Sequence, residues 1–301
     1  MIRHVLELDD LNAAEIAHVL DLADDAARPT VLAGQTVGLY FEKPSLRTRH
    51  SSEVAVVQLG GHPVTFRRDE VGAGEREPMA DIARVLSGYH AAIGARVFDH
   101  AALENLAAAS SIPVVNLLSD TGHPCQSLAD LLTMRHEWGS LEGRTLAWIG
   151  DYNNVARSLA LGAALSGMQL RIASPDGFGP TDADVDRLVL AGLHGAPELF
   201  DRAAAAVQDA DAVHTDVWAS MGQEDQAAAR NRAFEGFQVD DTVMAAAPKH
   251  AVFMHCLPAH RGEEVAASVV DGPQSRVFPQ AHNRLHAFRG LLRFVLGDSA
   301  R

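Results

Sequence analysis

Short apolar runs alternate with longer amphipathic segments along most of this chain. The runs have the length of buried strands, and the segments between them repeat apolar residues at helical spacing. In the first half, strands are predicted near residues 36–41, 62–66, 91–96 and 113–118. Helices are predicted near residues 10–27, 46–60, 78–88, 99–109 and 125–138.

A polar break, HEWGSLEGR at residues 136–144, interrupts this alternation, which then resumes. The later strands are predicted near residues 145–150, 169–174, 212–217 and 251–256, with a helix near 154–167. Strands that alternate with helices are typical of parallel sheets covered by helices on both faces. We therefore predict an α/β fold with two doubly wound parallel-sheet domains of similar size, linked by helices.

The composition limits the class of partner. The 301 residues carry a net charge of -14, which disfavours non-specific binding to nucleic acid or to an anionic membrane. No apolar run approaches the roughly 20 residues of a membrane span, and the acidic N-terminal segment does not fit a signal peptide. The only cysteines, Cys125 and Cys256, do not suggest a disulfide scaffold, so we expect a cytoplasmic protein.

The segment FEKPSLRTRH, at residues 41–50, joins a predicted strand to a predicted helix. Ser45 is placed to cap that helix. Arg47 and Arg49 then fall in the first turn, where the helix dipole disfavours cations by roughly 0.3–1 kcal/mol each. An anion between the arginines and the free backbone N–H groups would explain the arrangement, which predicts a phosphate site. A solvated basic turn is the alternative, and the segment by itself favours neither interpretation.

Polar side chains also follow several other predicted strands. Arg96 ends one strand, and His123 and Gln126 flank the start of the helix after the next. In the second half, one strand leads into Asp216 and another into Cys256. Because ligands of doubly wound sheets bind beyond the carboxyl ends of the strands, these side chains are candidates for a ligand site.

These segments resemble the motifs of the transcarbamylase family. SLRTR at residues 45–49 and HPCQ at 123–126 are similar to carbamoyl-phosphate motifs shared across the family. DVWASMGQE at 216–224 and HCLPAHRGEE at 255–264 are similar to its ornithine branch, whereas the aspartate branch usually differs where HCLP stands. Two shorter motifs, NN and NRLH, also fit, and six motifs in the family's order make the resemblance specific.

The resemblance implies transfer of the carbamoyl group of carbamoyl phosphate to the δ-amine of ornithine, giving citrulline and phosphate. Preorganised hydrogen-bond donors can stabilise the charge that builds on the carbonyl oxygen, so neither a metal nor an organic cofactor is expected. The family's carbamoyl-phosphate residues correspond here to Ser45, Leu46, Arg47, Thr48, Arg96, His123, Gln126, Cys256, Leu257 and Arg284. Arg96 and His123, with Thr48, are expected to polarise the carbonyl oxygen.

The ornithine residues implied by the resemblance are Asn154, Asp216, Ser220, Met221, Cys256 and Leu257. Asp216 would bind the α-ammonium group, and Asn154 with the Ser220–Met221 turn would bind the carboxylate end. Arg96, His123, Asp216 and Cys256 are taken as catalytic. The δ-amine must lose a proton before it attacks, and Cys256 beside Asp216 is our hypothesis for the group that sets this proton balance.

Plainer interpretations exist for individual residues. A free cysteine at the end of an apolar strand, such as Cys256, is most often a small buried hydrophobe. Asp216 by itself would be interpreted as a turn residue. Several histidines and cysteines, among them His255 and His260, suggest zinc, but no C-x2-C or H-E-x-x-H spacing occurs and we predict no metal site.

The resemblance also implies an organisation. Residues 1–138 would bind carbamoyl phosphate, residues 139–281 would bind ornithine, and the C-terminal segment 282–301, with a helix near 282–297, would pack back on the first domain. The family further implies a homotrimer, or a multiple of trimers, with active sites at subunit interfaces. The unpatterned segment 67–78 is where such enzymes often reach a neighbouring site, and Arg76 is the best candidate there.

One departure from the family and two rival functions stay open. Leu46 stands where the family often has threonine, although a backbone amide there can still bind phosphate. The acceptor could be another amine, such as an N-acylornithine, putrescine or lysine, but Asp216 offers a partner for a free α-ammonium group. A non-catalytic binding paralogue is the rival from another class, and the retained polar set argues against it.

Overall fold

The structure is a computed structural model that describes residues 2–74, 76–219 and 224–297. The chain divides into two compact units. Unit 1 comprises Met1–Leu132 and His282–Arg301, and unit 2 comprises Thr133–Ala281. The boundary that the sequence suggests, at residues 138–139, lies a few residues further along the chain.

Unit 1 is built around four parallel strands. The strands are β1 (Thr36–Phe41), β2 (His62–Arg67), β3 (Ala92–Arg96) and β4 (Val114–Leu118). The helices are α1 (Ala13–Asp24), α2 (Leu46–Gln58), α3 (Arg68–Val71), α4 (Met79–Ser87), α5 (His100–Ala109) and α6 (Pro124–Trp138), the last of which crosses into unit 2. The strand order is β2-β1-β3-β4. The carboxyl ends of β1, β3 and β4 therefore lie along one edge of the sheet.

Unit 2 contains a five-stranded parallel sheet. Its strands are β5 (Thr145–Ile149), β6 (Gln169–Ala173), β7 (Glu198–Phe200), β8 (Ala212–Thr215) and β9 (Val252–His255). Its helices are α7 (Asn154–Leu165), α8 (Asp182–Leu190), α9 (Ala203–Ala206), α10 (Ala227–Ala233), α11 (Asp241–Ala246) and α12 (Ala267–Val270). The strand order is β7-β6-β5-β8-β9, so the segments that follow β5, β8 and β9 are neighbours at one edge.

A final helix, α13 (Val277–Leu296), begins in unit 2 and ends in unit 1. Within unit 1 it packs so closely on α1 that a Cβ at Gly290 would lie 2.6 Å from the carbonyl oxygen of Val19. Arg289 and Arg293 secure this contact by donating to backbone carbonyls at the end of α1. Among the helices of the described residues, none is both long enough and apolar enough to span a membrane.

The α/β fold with two parallel sheets confirms the prediction. All eight predicted strands are present, with ends within two residues of the expected positions. The sequence missed β7, which has only three residues and is partly exposed, and the helices from α8 to α12. The prediction that residues 67–78 are irregular was wrong at α3, a single turn too short to show periodicity. Helix α13 also starts at Val277, five residues earlier than predicted. Pro279 fits in its first turn, because the backbone N–H groups there have no acceptor within the helix and the missing N–H of proline is not needed.

Candidate active site

The start of α2 has the predicted cap. Ser45 has extended backbone angles, and its side-chain oxygen accepts a hydrogen bond from the backbone N–H of Thr48 at 3.2 Å. Such a cap stabilises a helix by about 1 kcal/mol. Thr48, in the first turn of this helix, is buried, with only 1% of the residue exposed.

The two first-turn arginines have different environments. Arg49 donates from Nε to Oε1 of Glu53 at 2.9 Å on its own helix, and half of its side chain is exposed. An anion is therefore not needed to account for Arg49. Arg47 lies close enough to His123 to help lower the pKa of that imidazole. Of the pair, Arg47 is the one that contributes positive potential at the predicted phosphate site.

Five buried side chains of unit 1 converge in what we name the arginine cluster: Thr48, Arg96, His123, Gln126 and Arg284. Arg284 reaches it from α13. Its Nη2 donates to Oγ1 of Thr48 at 2.9 Å, and its Nη1 donates to Nε2 of His123 at 3.1 Å and to Oε1 of Gln126. Nη1 of Arg96 contacts the same Thr48 oxygen at 3.4 Å. The cluster thus joins residues from α2, β3, α13 and the start of α6, with His123 one residue before that helix.

His123 is a neutral donor within this positive environment. Burial lowers its pKa well below the usual value of 6.5, and the positive charges of Arg284, Arg96 and Arg47 lower it further. Because Nε2 accepts from Arg284, the proton of the neutral ring is on Nδ1. Two guanidinium groups beside an uncharged imidazole suit an anionic ligand with a carbonyl oxygen.

The surroundings of the cluster add positive charge. Nζ of Lys43 lies 4.4 Å from the centre of the Phe98 ring, and burial and the charge of Arg96 lower the pKa of its amine. An open pocket of about 820 Å³ adjoins Ser45 and Leu46 and is also lined by Lys43 and Arg67. The side chain at position 46 is 70% exposed, so this predicted site residue offers its backbone rather than a buried contact.

Three side chains of unit 2 form a second group, which we name the acid–thiol cluster: Asn153, Asp216 and Cys256. Sγ of Cys256 donates to Oδ1 of Asp216 at 3.0 Å, and Nδ2 of Asn153 donates to Oδ2 at 2.9 Å. Asn153 follows β5, Asp216 follows β8 and Cys256 follows β9, and these three strands are neighbours in the sheet. The structure thus brings together Cys256 and Asp216, as the proton-balance hypothesis requires. Asn153 is an addition that the sequence did not assign to the site.

The backbone after Cys256 is held in an unusual conformation. Leu257 has a positive φ of 59°, which is rare for a residue with a Cβ atom, and its peptide bond to Pro258 is cis. Its N–H donates to Nδ1 of His255 at 2.9 Å, and Nε2 of His255 contacts Oε1 of Glu264 at 3.2 Å. Both partners are fully buried. A positive φ at a residue with a side chain is a strained conformation that is concentrated at ligand sites, which fits the predicted role of Leu257.

The other predicted ornithine residues are only partly described. Asn154 is half-buried as the first residue of α7, immediately after the N-cap Asn153. Ser220 and Met221 lie outside the described residues. Sequence reasoning missed Arg230, which donates to the carbonyl oxygen of Trp218 and to the carboxylate of Asp151. No sequence signal marks Arg230, because its helix is short and its partners Asp151 and Phe178 are distant in the chain.

Two groups of side chains within the described residues have donor atoms placed as metal ligands would be. They are Asp216 with His255 and Cys256, and His260 with Glu263 and Glu264; in each group the ligand atoms lie within 4.8 Å of one another. In the first group, Cys256 and His255 hydrogen-bond to different carboxylates. Neither group follows a known metal-binding spacing, and the absence of a bound metal stays a prediction from sequence.

Comparison with known proteins identifies the family to which the chain belongs. Residues 3–136 match the family profile described as "Aspartate/ornithine carbamoyltransferase, carbamoyl-P binding domain", and residues 142–295 match the corresponding "Asp/Orn binding domain". The fold is thus that of a carbamoyltransferase. The chain belongs to the aspartate/ornithine carbamoyltransferase family.

The similarity to individual relatives extends over nearly the full length. An ornithine carbamoyltransferase of Acidothermus cellulolyticus is 51% identical over 306 residues, which cover 98% of this chain and 97% of that one. One of Haloquadratum walsbyi is 46% identical over 301 residues, covering 98% of each chain. The solved ornithine carbamoyltransferase of Pyrococcus furiosus superposes with a TM-score of 0.93 at 42% identity, covering 99% of this chain and 98% of that one.

Proposed function

We propose that this protein transfers the carbamoyl group of carbamoyl phosphate to the δ-amine of L-ornithine, with L-citrulline and phosphate as products. The observation that carries the proposal is the formation of two clusters of complementary chemistry from motifs far apart in the sequence. The arginine cluster presents cationic and neutral donors, and the acid–thiol cluster presents a carboxylate and a thiol. The full-length relatives that carry the name ornithine carbamoyltransferase support the same substrates.

Carbamoyl phosphate is the ligand that fits the arginine cluster. Its phosphate would bind Arg47 and the N–H groups at the start of α2, with the hydroxyls of Ser45 and Thr48. Arg96 and His123 would donate to the carbamoyl oxygen, where negative charge develops as the amine attacks. Such donors act most strongly in a buried site, because they are already oriented and little water competes with them.

Ornithine fits the acid–thiol cluster. The carboxylate of Asp216 would bind the α-ammonium group, and Asn154 would bind the carboxylate end with Ser220 and Met221. The δ-ammonium must lose a proton to become nucleophilic, and Cys256 beside Asp216 is placed to influence that equilibrium. The nitrogen then forms a bond to the carbamoyl carbon, and the carbon–oxygen bond to phosphate breaks. No cofactor is required for these steps.

A citrulline assay with the purified protein tests this function. We expect colour development only with both carbamoyl phosphate and L-ornithine present, and at least about 10²-fold higher kcat/KM for L-ornithine than for N-acetylornithine, putrescine or lysine, because only the free amino acid satisfies both ends of the ornithine site. A higher kcat/KM for one of the other amines would show that this amine, and not ornithine, is the acceptor. A protein that binds carbamoyl phosphate but forms no product with any amine would be the non-catalytic paralogue.

We further propose a cytoplasmic homotrimer, or a multiple of trimers, in which Arg76 of one subunit reaches a neighbouring site. Exposed apolar side chains on α2, on the edge strand β2 and on α4 support an association surface on unit 1; they include Val57, Val64 and Val85. Light scattering on the purified protein should give three times the chain mass of 32.2 kDa, or a multiple of that value. A monomer with full activity would contradict the assembly and the role of Arg76.

A further inference from the structure

We propose that Asp130 is a positioning residue for the carbamoyl-phosphate site, because it orients the amide of Gln126 and thereby the guanidinium group of Arg284. The inference rests on the proposed function and extends it to a residue that lies outside the recognised motifs. Asp130 would not touch the substrate. It would act through two successive hydrogen bonds inside unit 1.

The geometry is a short, fully buried chain of donors and acceptors. Gln126 and Asp130 lie one turn apart on α6, and both residues are at most 1% exposed. Nε2 of Gln126 donates to Oδ1 of Asp130 at 2.7 Å. At the other end of the same amide, Oε1 accepts a hydrogen bond from Nη1 of Arg284.

The direction of this chain follows from the donor inventory. An amide has a donating end and an accepting end, whereas an ionised carboxylate can only accept and a guanidinium can only donate. Asp130 therefore takes the NH2 group of Gln126 and leaves the oxygen for Arg284. The reversed amide would place two donors against each other beside Arg284 and two acceptors against each other beside Asp130, which is unfavourable in a buried site.

Arg284 depends on this amide for its orientation. Its Nη1 contacts both Gln126 and His123, and its Nη2 contacts Thr48. These contacts fix the plane of the guanidinium group at the start of α2, where the phosphate is proposed to bind. If the amide of Gln126 turned, Nη1 would face an NH2 group instead of an acceptor oxygen.

A double-mutant cycle tests whether Asp130 acts through Gln126. In the wild-type background, Asp130→Asn removes the charge that fixes the amide, and we expect kcat/KM for carbamoyl phosphate to fall by about 5–30-fold. In a Gln126→Glu background, two carboxylates face each other, and Asp130→Asn restores a donor–acceptor pair. There the same substitution should raise kcat/KM by about 10-fold, which is a reversal of sign that general destabilisation does not produce.

Two further measurements separate positioning from stability. The KM for ornithine, at saturating carbamoyl phosphate, should change less than about 2-fold in Asp130→Asn, since the proposed ornithine residues lie on other elements. The control is Asp25→Asn. The carboxylate of Asp25 accepts from Arg293 at 3.0 Å, and Arg293 lies on α13, the helix that also carries Arg284. This control should lower the melting temperature and leave both KM values unchanged.

The outcomes are distinguishable. The inference is overturned if Asp130→Asn lowers kcat/KM on both backgrounds, or if it changes only the melting temperature, as the control does. Should the Gln126→Glu protein fail to fold, the selective rise in KM for carbamoyl phosphate in Asp130→Asn still decides the matter. A wild-type protein that forms no citrulline contradicts the proposed function instead, and direct binding of inorganic phosphate to wild type and Asp130→Asn would then test the positioning role.

Discussion

The arginine cluster of unit 1 and the acid–thiol cluster of unit 2 are built in different ways. In unit 1, the side chains come from four elements, and Thr48 and Arg284 are 236 positions apart in the chain. In unit 2, Asn153, Asp216 and Cys256 simply follow three neighbouring strands. The first cluster is buried and held by several hydrogen bonds, whereas the second contains one carboxylate, which accepts from Asn153 and from the half-buried thiol of Cys256.

This difference matches the two ligands that we propose. A dianionic phosphate must be stripped of water, and a preorganised set of cations offsets that cost. An amine must change its protonation state before it reacts, which favours a small site where a carboxylate and a thiol can exchange protons. We therefore expect substitutions in unit 1 to affect carbamoyl phosphate and those in unit 2 to affect ornithine.

Replacing Arg284 should have the largest effect. Arg284→Gln removes the guanidinium that links Thr48, His123 and Gln126, and we expect kcat/KM for carbamoyl phosphate to fall by about 10³-fold. The matched control is Arg289→Gln on the same helix, whose side chain donates to backbone carbonyls and to Gln58. Steady-state kinetics should show near-normal activity for the control. Its melting temperature, measured separately, should be lower than that of the wild type. Equal losses in both variants would mean that Arg284 acts only in packing.

Replacing Asp216 should affect the other substrate. Asp216→Asn removes the proposed partner of the α-ammonium group, and we expect KM for ornithine to rise by roughly 10²-fold with little change in KM for carbamoyl phosphate. Asp211→Asn is the control, because Asp211 lies before the opposite end of β8 and pairs with Arg144 at 2.9 Å. Unchanged ornithine kinetics in Asp216→Asn would contradict the ornithine assignment.

The two cysteines should differ in reactivity. Burial raises the pKa of Cys125 to about 12, and its Sγ donates to the carbonyl oxygen of Asn116. Cys256 is half-buried beside Asp216. Iodoacetamide at pH 8 should therefore label Cys256 and not Cys125 in the folded protein, as read by peptide mass spectrometry, and ornithine should slow the labelling. Cys256→Ala should lower kcat by about 10-fold, which is less than the roughly 10²–10⁴-fold contribution of a direct general base, because Cys256 is proposed only to influence the proton equilibrium.

The smallest effect concerns stability at acid pH. The folded-state pKa of His123 lies below its unfolded value of about 6.5, so the neutral ring contributes its full stability above that pH. As pH falls below about 6.5, the unfolded state takes up the proton first, and this contribution decreases. The wild-type melting temperature should therefore drop more between pH 7.5 and pH 5.5 than that of His123→Asn. Parallel curves for the two proteins would contradict the buried, neutral histidine.

The sequence predicted the fold through features that depend on neighbours in the chain. The strands have continuous apolar runs, and the Ser45 cap needs only three residues of context. Short elements such as α3 and β7 were missed because they are stabilised by contacts that a local pattern does not contain. Arg284 entered the site only through the family resemblance, since nothing in α13 itself points to Thr48. Asp130 and Arg230 could not be predicted, because each depends on which buried group lies opposite.

The close contact between α13 and α1 has a consequence for synthesis on the ribosome. Domains generally fold in the order in which they emerge, from the N-terminal end. Unit 1 begins the chain, yet Arg284, Gly290 and Arg293 belong to its last stretch. A nascent chain can therefore complete unit 2 while unit 1 still lacks the helix that covers α1. Premature stop codons late in the reading frame should damage the first-made half of the protein rather than the half made last.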